Sequence, residues 1–202
     1  MKIVHVETLI ARGRFAESKT WKNIQKELIE SIKAIDWPPG SGKFTIYPQS
    51  GKKRNEGNGV IPIKAGLMKR LKERDYRLEC HIDVENTNRP GKCDAILETD
   101  FGPFALEWET GNISSSHRAL NKMCLGLLTK VLAGGVLVVP SRKLYRFLTD
   151  RIGNFAELSP YLELWRATPC EEGVLEIIVV EQDAESTKVP RIPKITAGRA
   201  LG

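Results

Sequence analysis

The run from Cys93 to Val139 constrains this chain more than any other stretch, because its hydrophobic period changes twice. Cys93–Glu98 and Pro103–Glu109 read as two strands joined by Thr99-Asp100-Phe101-Gly102. Ser114–Leu132 then reads as the clearest helix in the chain, with Leu120, Met123, Cys124, Leu127, Leu128, Val131 and Leu132 on one stripe. Gly134-Gly135 ends it, and Val136–Val139 is an unbroken apolar run, as for a strand buried on both faces. Strands flanked by helices in this way point to an α/β fold with a mixed central sheet and helices on both faces.

The remaining segments fit that frame. Residues 1–10 alternate apolar and polar side chains and read as a strand. Thr20–Ile35 reads as a helix, stopped by Trp37-Pro38-Pro39-Gly40. Phe44–Tyr47 is a short strand, Gln49–Gly59 a polar, glycine-rich, basic loop, and Lys64–Arg77 a second, strongly basic helix. Leu78–Val84 reads as a strand, Asn86–Lys92 as a turn, Ser141–Thr149 as a short helix capped by Ser141, and Val174–Val180 as a late strand. The 202 residues form one domain, 1–202, by the loose prior of about 150 residues per domain, with 188–202 as an extended C-terminal arm.

Composition narrows the class of partner. Lys plus Arg is 31 and Asp plus Glu 25, giving a net charge of +6 that favours a polyanion. No apolar run approaches the length of a membrane span, and the first ten residues do not read as a signal peptide. The four cysteines (Cys80, Cys93, Cys124, Cys170) contain no CxxC pair and read as reduced, buried thiols of a cytoplasmic protein. The histidines His5, His81 and His117 are scattered without metal spacing.

The acidic residues of the central run carry the chemistry. On a strand over Pro103–Glu109, Phe104, Leu106 and Trp108 point one way and Ala105, Glu107 and Glu109 the other. Two carboxylates so spaced lie roughly 7 Å apart, and Asp94 on the adjacent strand can come alongside. Three converging carboxylates need a shared proton or a cation, and hard oxygen donors in this number suit Mg²⁺. Alternation alone favours Glu107 and Glu109 as the solvated face of an edge strand. Directly after them, Thr110-Gly111-Asn112-Ile113-Ser114-Ser115-Ser116-His117-Arg118 leads into the long helix. Such groups at a helix start suit anions and base edges, or more simply cap the helix.

The block EWETGNISSSHRALNKM, residues 107–123, resembles the signature of the BamHI family of type II restriction endonucleases. Asn58–Lys64, Leu148–Phe155 and Ile192–Lys194 match the same family in the same order, so the resemblance runs from about residue 20 to the end. It implies a restriction-endonuclease-like core acting as a cytoplasmic homodimer, in a bacterium or archaeon, on double-stranded DNA. The implied reaction is Mg²⁺-dependent hydrolysis of both strands at GGATCC, after the first G, leaving 5′ overhangs, with one or two ions per site. It implies that Asp94 and Glu107 bind metal, that Glu109 is general base or water-orienting group, and that Glu79 is a further acid of the site. It implies major-groove contacts by Asn112, Ser114 and Arg118, a second reading pair in Asp150 and Arg151, and minor-groove contacts from an arm containing Lys194, Gly198 and Arg199. No membrane and no small-molecule cofactor are implied.

The wider superfamily carries Pro-Asp followed by Asp/Glu-X-Lys. Here Cys93 replaces the proline and Glu109 the lysine, the second being this family's own habit. Asp150-Arg151 also has a plain chemical reading: Asp accepts from cytosine N4 while Arg bonds guanine O6 and N7, so one G·C pair is read from both bases. The alternatives are a restriction-like nuclease with another palindrome or a repair role, and a non-cleaving DNA-binding module. The helix from Ser114 carries Leu120, Leu125, Leu127, Leu128 and Val131, wider than one core stripe needs, which leaves a part to meet a second subunit.

Overall fold

A computed structural model of the chain describes residues 1–51, 56–82, 91–149 and 152–194. Six strands form one sheet: β1 (Lys2–Arg12), β3 (Arg77–His81), β4 (Lys92–Leu97), β5 (Phe104–Trp108), β6 (Gly134–Pro140) and β7 (Gly173–Glu181), in the order β1-β7-β6-β5-β4-β3. The pairs β5/β6 and β6/β7 are parallel, and the others antiparallel, so the sheet is mixed. β2 (Thr45–Ile46) and β8 (Ala184–Glu185) form a separate parallel pair.

Both faces are covered. On one side pack α1 (Gly13–Glu17), α2 (Lys19–Lys33), α3 (Ile61–Lys72) and α5 (Arg142–Tyr145), through residues such as Phe15, Leu28, Leu67 and Leu144. On the other lie α4 (Ile113–Leu128), α6 (Phe155–Leu158) and α7 (Leu162–Arg166), with Leu120, Met123, Leu158 and Trp165 against the sheet. β6 runs through the middle and all seven of its residues are buried, which is why its sequence lacks alternation. The α/β expectation with helices on both faces is met.

Several boundaries move for identifiable reasons. α3 begins at Ile61, with Pro62 in its first turn, where a missing N–H costs nothing, and it ends at Lys72. Asp75 then turns the chain with φ of 65° into β3, which takes Arg77. α4 stops at Leu128 instead of Leu132. Lys130 adopts φ of 59°, and the N–H groups of Val131 and Leu132 return to the carbonyl of Gly126. Leu132 is still buried, resting over Gly126, so its apolar stripe continued past the helix that carries it. The turn expected over Asn86–Lys92 lies mostly outside the described residues, and Lys92 itself belongs to β4.

The segment between Asn58 and α3 is pinned from three directions. Asn58 is fully buried, and its amide Nδ2 donates to the carbonyls of Tyr47 and Phe147, each at 2.9 Å. Its Oδ1 accepts from the N–H of Ile192 at 3.1 Å, while its own N–H donates to Phe147 and its carbonyl accepts from Thr149. Gly59 next to it donates to the Ile192 carbonyl at 2.9 Å, and a Cβ there would fall 2.1 Å from the Pro193 oxygen.

Candidate active site

β4 and β5 set the site. Their register pairs Ala95 with Leu106, so continuing the antiparallel ladder by one residue puts Asp94 opposite Glu107. The ladder yields there to a side chain: Oδ2 of Asp94 accepts the Trp108 N–H at 2.7 Å. Glu79 interrupts β3 beside it with φ of 53°, and the recorded pairing skips from Leu78↔Ala95 to Cys80↔Cys93. β5 has a neighbour on each side and helices over each face, so the solvated-edge reading of Glu107 and Glu109 is excluded.

Each carboxylate has its own partner. Lys64, from α3, donates to Oδ1 of Asp94 and lies 3.6 Å from Oε1 of Glu79. Lys122, from α4, donates to Oε1 of Glu107 and also to the Lys92 carbonyl at 2.6 Å. Glu109, just past β5, accepts from the Gly111 N–H at 2.5 Å on Oε1 and from the Ser116 hydroxyl on Oε2. Asp94, Glu107, Glu109, Lys122 and Arg118 line one cavity of about 770 Å³. Glu79 stands at its side, with a side chain 61% exposed, joined to Asp94 through Lys64.

The electrostatics follow from burial. Loss of water raises the pKa of Glu107, and the nearby charge of Asp94 raises it further, against the opposing pull of Lys122. Burial pushes Glu109 up to about 7, although the hydrogen bonds from Ser116 and Gly111 favour its charged form. Burial and then the charge of Glu107 push the Cys93 thiol up to about 12, which suits an inert, buried sulfur.

Among the described residues no group of three or more His, Cys, Asp or Glu side chains stands ready-made around one ion. The four acids expected to act together are therefore split: Asp94 and Glu107 adjoin, Glu79 is reached through Lys64, and Glu109 is turned onto α4. The donor chemistry still fits a divalent cation. Two adjacent buried carboxylates are neutralised here by two ammonium groups, which together carry the +2 that such an ion would bring, and carboxylate oxygens are its preferred ligands.

α4 presents the base-reading candidates. Asn112 is its N-cap, accepting from the Ser115 N–H at 3.3 Å. Asn112, Ser114 and Arg118 are exposed at this end of the helix, and Lys194 is exposed where the arm begins. Asp150, Arg151, Gly198 and Arg199 lie outside the described residues, as does the basic stretch Lys52–Arg54.

Three positions escaped the sequence reading. Lys64 opens the segment that reads as a strongly basic helix, yet it turns inward to Asp94. Lys122 sits among apolar neighbours, and its only signal was spacing: Ser114, Arg118 and Lys122 recur every four residues along one helix face. Ser116 was one serine of a triplet, and only its burial singles it out.

Comparison with known proteins fixes the relationship. The family model for restriction endonuclease BamHI matches residues 1–199. The type II restriction enzyme OkrAI of Oceanobacter kriegii is 44% identical over 201 residues, covering 100% of both chains. The type II restriction enzyme BamHI of Bacillus amyloliquefaciens is 33% identical over 196 residues, covering 93% of this chain and 87% of its own. The crystal structure of restriction endonuclease BglII with a DNA 16-mer superposes with a TM-score of 0.63 over 95% of this chain and 88% of that one, at 9% identity, which establishes a common fold. With carboxylates of the signature block gathered at one end of β4 and β5, and with similarity running the whole length of two relatives, the chain belongs to the BamHI family of type II restriction endonucleases.

Proposed function

We propose that this enzyme cuts double-stranded DNA at GGATCC, after the first G of each strand, as a homodimer that uses Mg²⁺. The observation that carries the reading is the direct passage from carboxylates to recognition helix. Residues 107–118 hold Glu107 and Glu109 at one end and Arg118 at the other, and all three line one cavity. Asp94 and Glu107 would hold the ion, with Glu79 as an outer acid. Once bound there, such an ion supplies charge neutralisation at the phosphate and a more acidic water.

The residues of the chain supply the rest. Glu109 is held by Gly111 and Ser116 with its pKa near 7, so close to neutral pH it can accept a proton from an attacking water. Arg118 matches guanine O6 and N7 in the major groove, and Asn112 matches adenine N6 and N7. Ser114 is placed to join them, while Asp150 with Arg151 would read a further G·C pair. Lys194 opens the arm in which Gly198 and Arg199 would follow the minor groove. A two-fold site calls for a two-fold protein. The surface offered to a second subunit is the part of the α4 stripe that the core does not use: Leu120 and Leu127 are buried in this chain, whereas Leu128 is 43% exposed.

The test is digestion of a plasmid carrying GGATCC and near-cognate sites, with Mg²⁺ and with chelator. Discrete fragments ending in GATC overhangs, formed only with the ion, support the proposal. Fragments ending at another palindrome refute the assigned site. Specific binding by a folded protein without cleavage refutes the nuclease reading.

A further inference from the structure

Lys122 is the least exposed cation at this site: its side chain is 6% accessible, yet it occupies a helix otherwise devoted to the core and to the DNA-facing edge. A buried ammonium is tolerated only where it is paired and hydrogen-bonded. Lys122 meets both conditions at one point, through Oε1 of Glu107 and the carbonyl of Lys92, the residue two before Asp94. Glu107 itself lines the cavity, beside Asp94. One and two turns earlier on the same helix face lie Arg118 and Ser114.

We infer that Lys122 is a positioning residue, an internal counter-cation that holds Glu107 in place and competes with the divalent ion for it until DNA is engaged. The inference rests on the metal-dependent reading above and extends it to a residue outside the acidic set. A unit charge a few ångströms from a doubly charged ion opposes its binding, and partial burial reduces the screening. The lysine therefore weakens ion binding in the DNA-free protein. Because its ammonium is carried on the helix that presents Arg118 and Ser114, any shift of α4 on the DNA would move the lysine relative to Glu107. The lysine thus makes the loading of the site answerable to the helix that reads the sequence.

The test compares the native protein with Lys122→Met, Lys122→Gln and Lys122→Arg, without DNA, by calorimetric titration with Mn²⁺ at pH 8. Lys122→Met and Lys122→Gln should each bind Mn²⁺ about tenfold more tightly, while Lys122→Arg stays near the native affinity. Single-turnover cleavage should move oppositely, falling at least about tenfold in the Met and Gln variants. Glutamine retains a donor for Glu107, so it serves if the methionine variant does not fold. Unchanged or weaker Mn²⁺ binding in the folded, uncharged variants overturns the inference, since a purely structural lysine would lose affinity and activity together. If the native protein binds no Mn²⁺, or if Asp94→Ala binds it as well as the native protein does, the metal-dependent reading itself falls and takes the inference with it.

Discussion

Glu109 should be a burden on the fold that the chemistry requires. Its ordinary pKa of 4.5 is raised to about 7 in the folded chain, chiefly by burial. Between those values the folded state holds the proton that the unfolded state has released, so stability falls as pH rises from 4.5 to about 7 and stays lowered above that. The difference corresponds to about 3 kcal/mol. Glu109→Gln removes the charge and retains the contacts: the amide oxygen accepts from Gly111 N–H, and the amide nitrogen donates to Ser116 once that hydroxyl rotates. In chelator, the variant should be about 3 kcal/mol more stable than the native protein at pH 8, a shift of about 1 M in the urea midpoint, and no more stable at pH 4.5. It should not cleave DNA. Urea titrations followed by tryptophan fluorescence at the two pH values decide the matter. An equal effect at both, or a less stable variant at pH 8, refutes the claim that desolvation governs this carboxyl.

Other substitutions test the surrounding structure. Asn58→Ala strands the Ile192 N–H in a buried place and takes an amide donor from the carbonyls of Tyr47 and Phe147, and should lower stability by about 1–3 kcal/mol in chemical denaturation. Gly153→Ala would set a Cβ 2.5 Å from the Ser116 hydroxyl oxygen and 3.1 Å from the Ile113 backbone; by displacing Ser116 from Glu109 it should reduce single-turnover cleavage about tenfold or more, with DNA affinity measured in Ca²⁺ little changed. Arg118→Ala should weaken binding to GGATCC by about 1–3 kcal/mol while sparing non-specific DNA; equal loss on both, with a shallower salt dependence, would make it a phosphate contact.

The sequence made the central run legible because each element there has a clean period. The amphipathic helix, the unbroken apolar run of β6 and the alternation of β5 each leave one reading of the element's type. Local periodicity could not show that the face bearing Glu107 is covered, because burial of an alternating strand depends on which helix crosses it. Nor could it assign Lys64 and Lys122. In a list of basic residues each is one among 31, and only the crossing of α3 and α4 over the ends of β4 and β5 turns these two inward. The helix end at Leu128 was hidden for a related reason, since a turn can carry the same apolar cover as the helix before it.

The Asn58 junction also imposes an order on manufacture. Its oxygen is satisfied by a backbone group 134 residues further along the chain. A nascent polypeptide emerges from its N-terminus, so the partner of Asn58 is the last of the three to be synthesised. Until residue 192 exists, the segment that launches α3, and with it Lys64, retains a buried acceptor without its donor. A prematurely terminated product would carry every acid of the site and the whole of α4, yet lack the clamp that seats the helix opposite them. Seating of α3 opposite the acids thereby waits for residue 192.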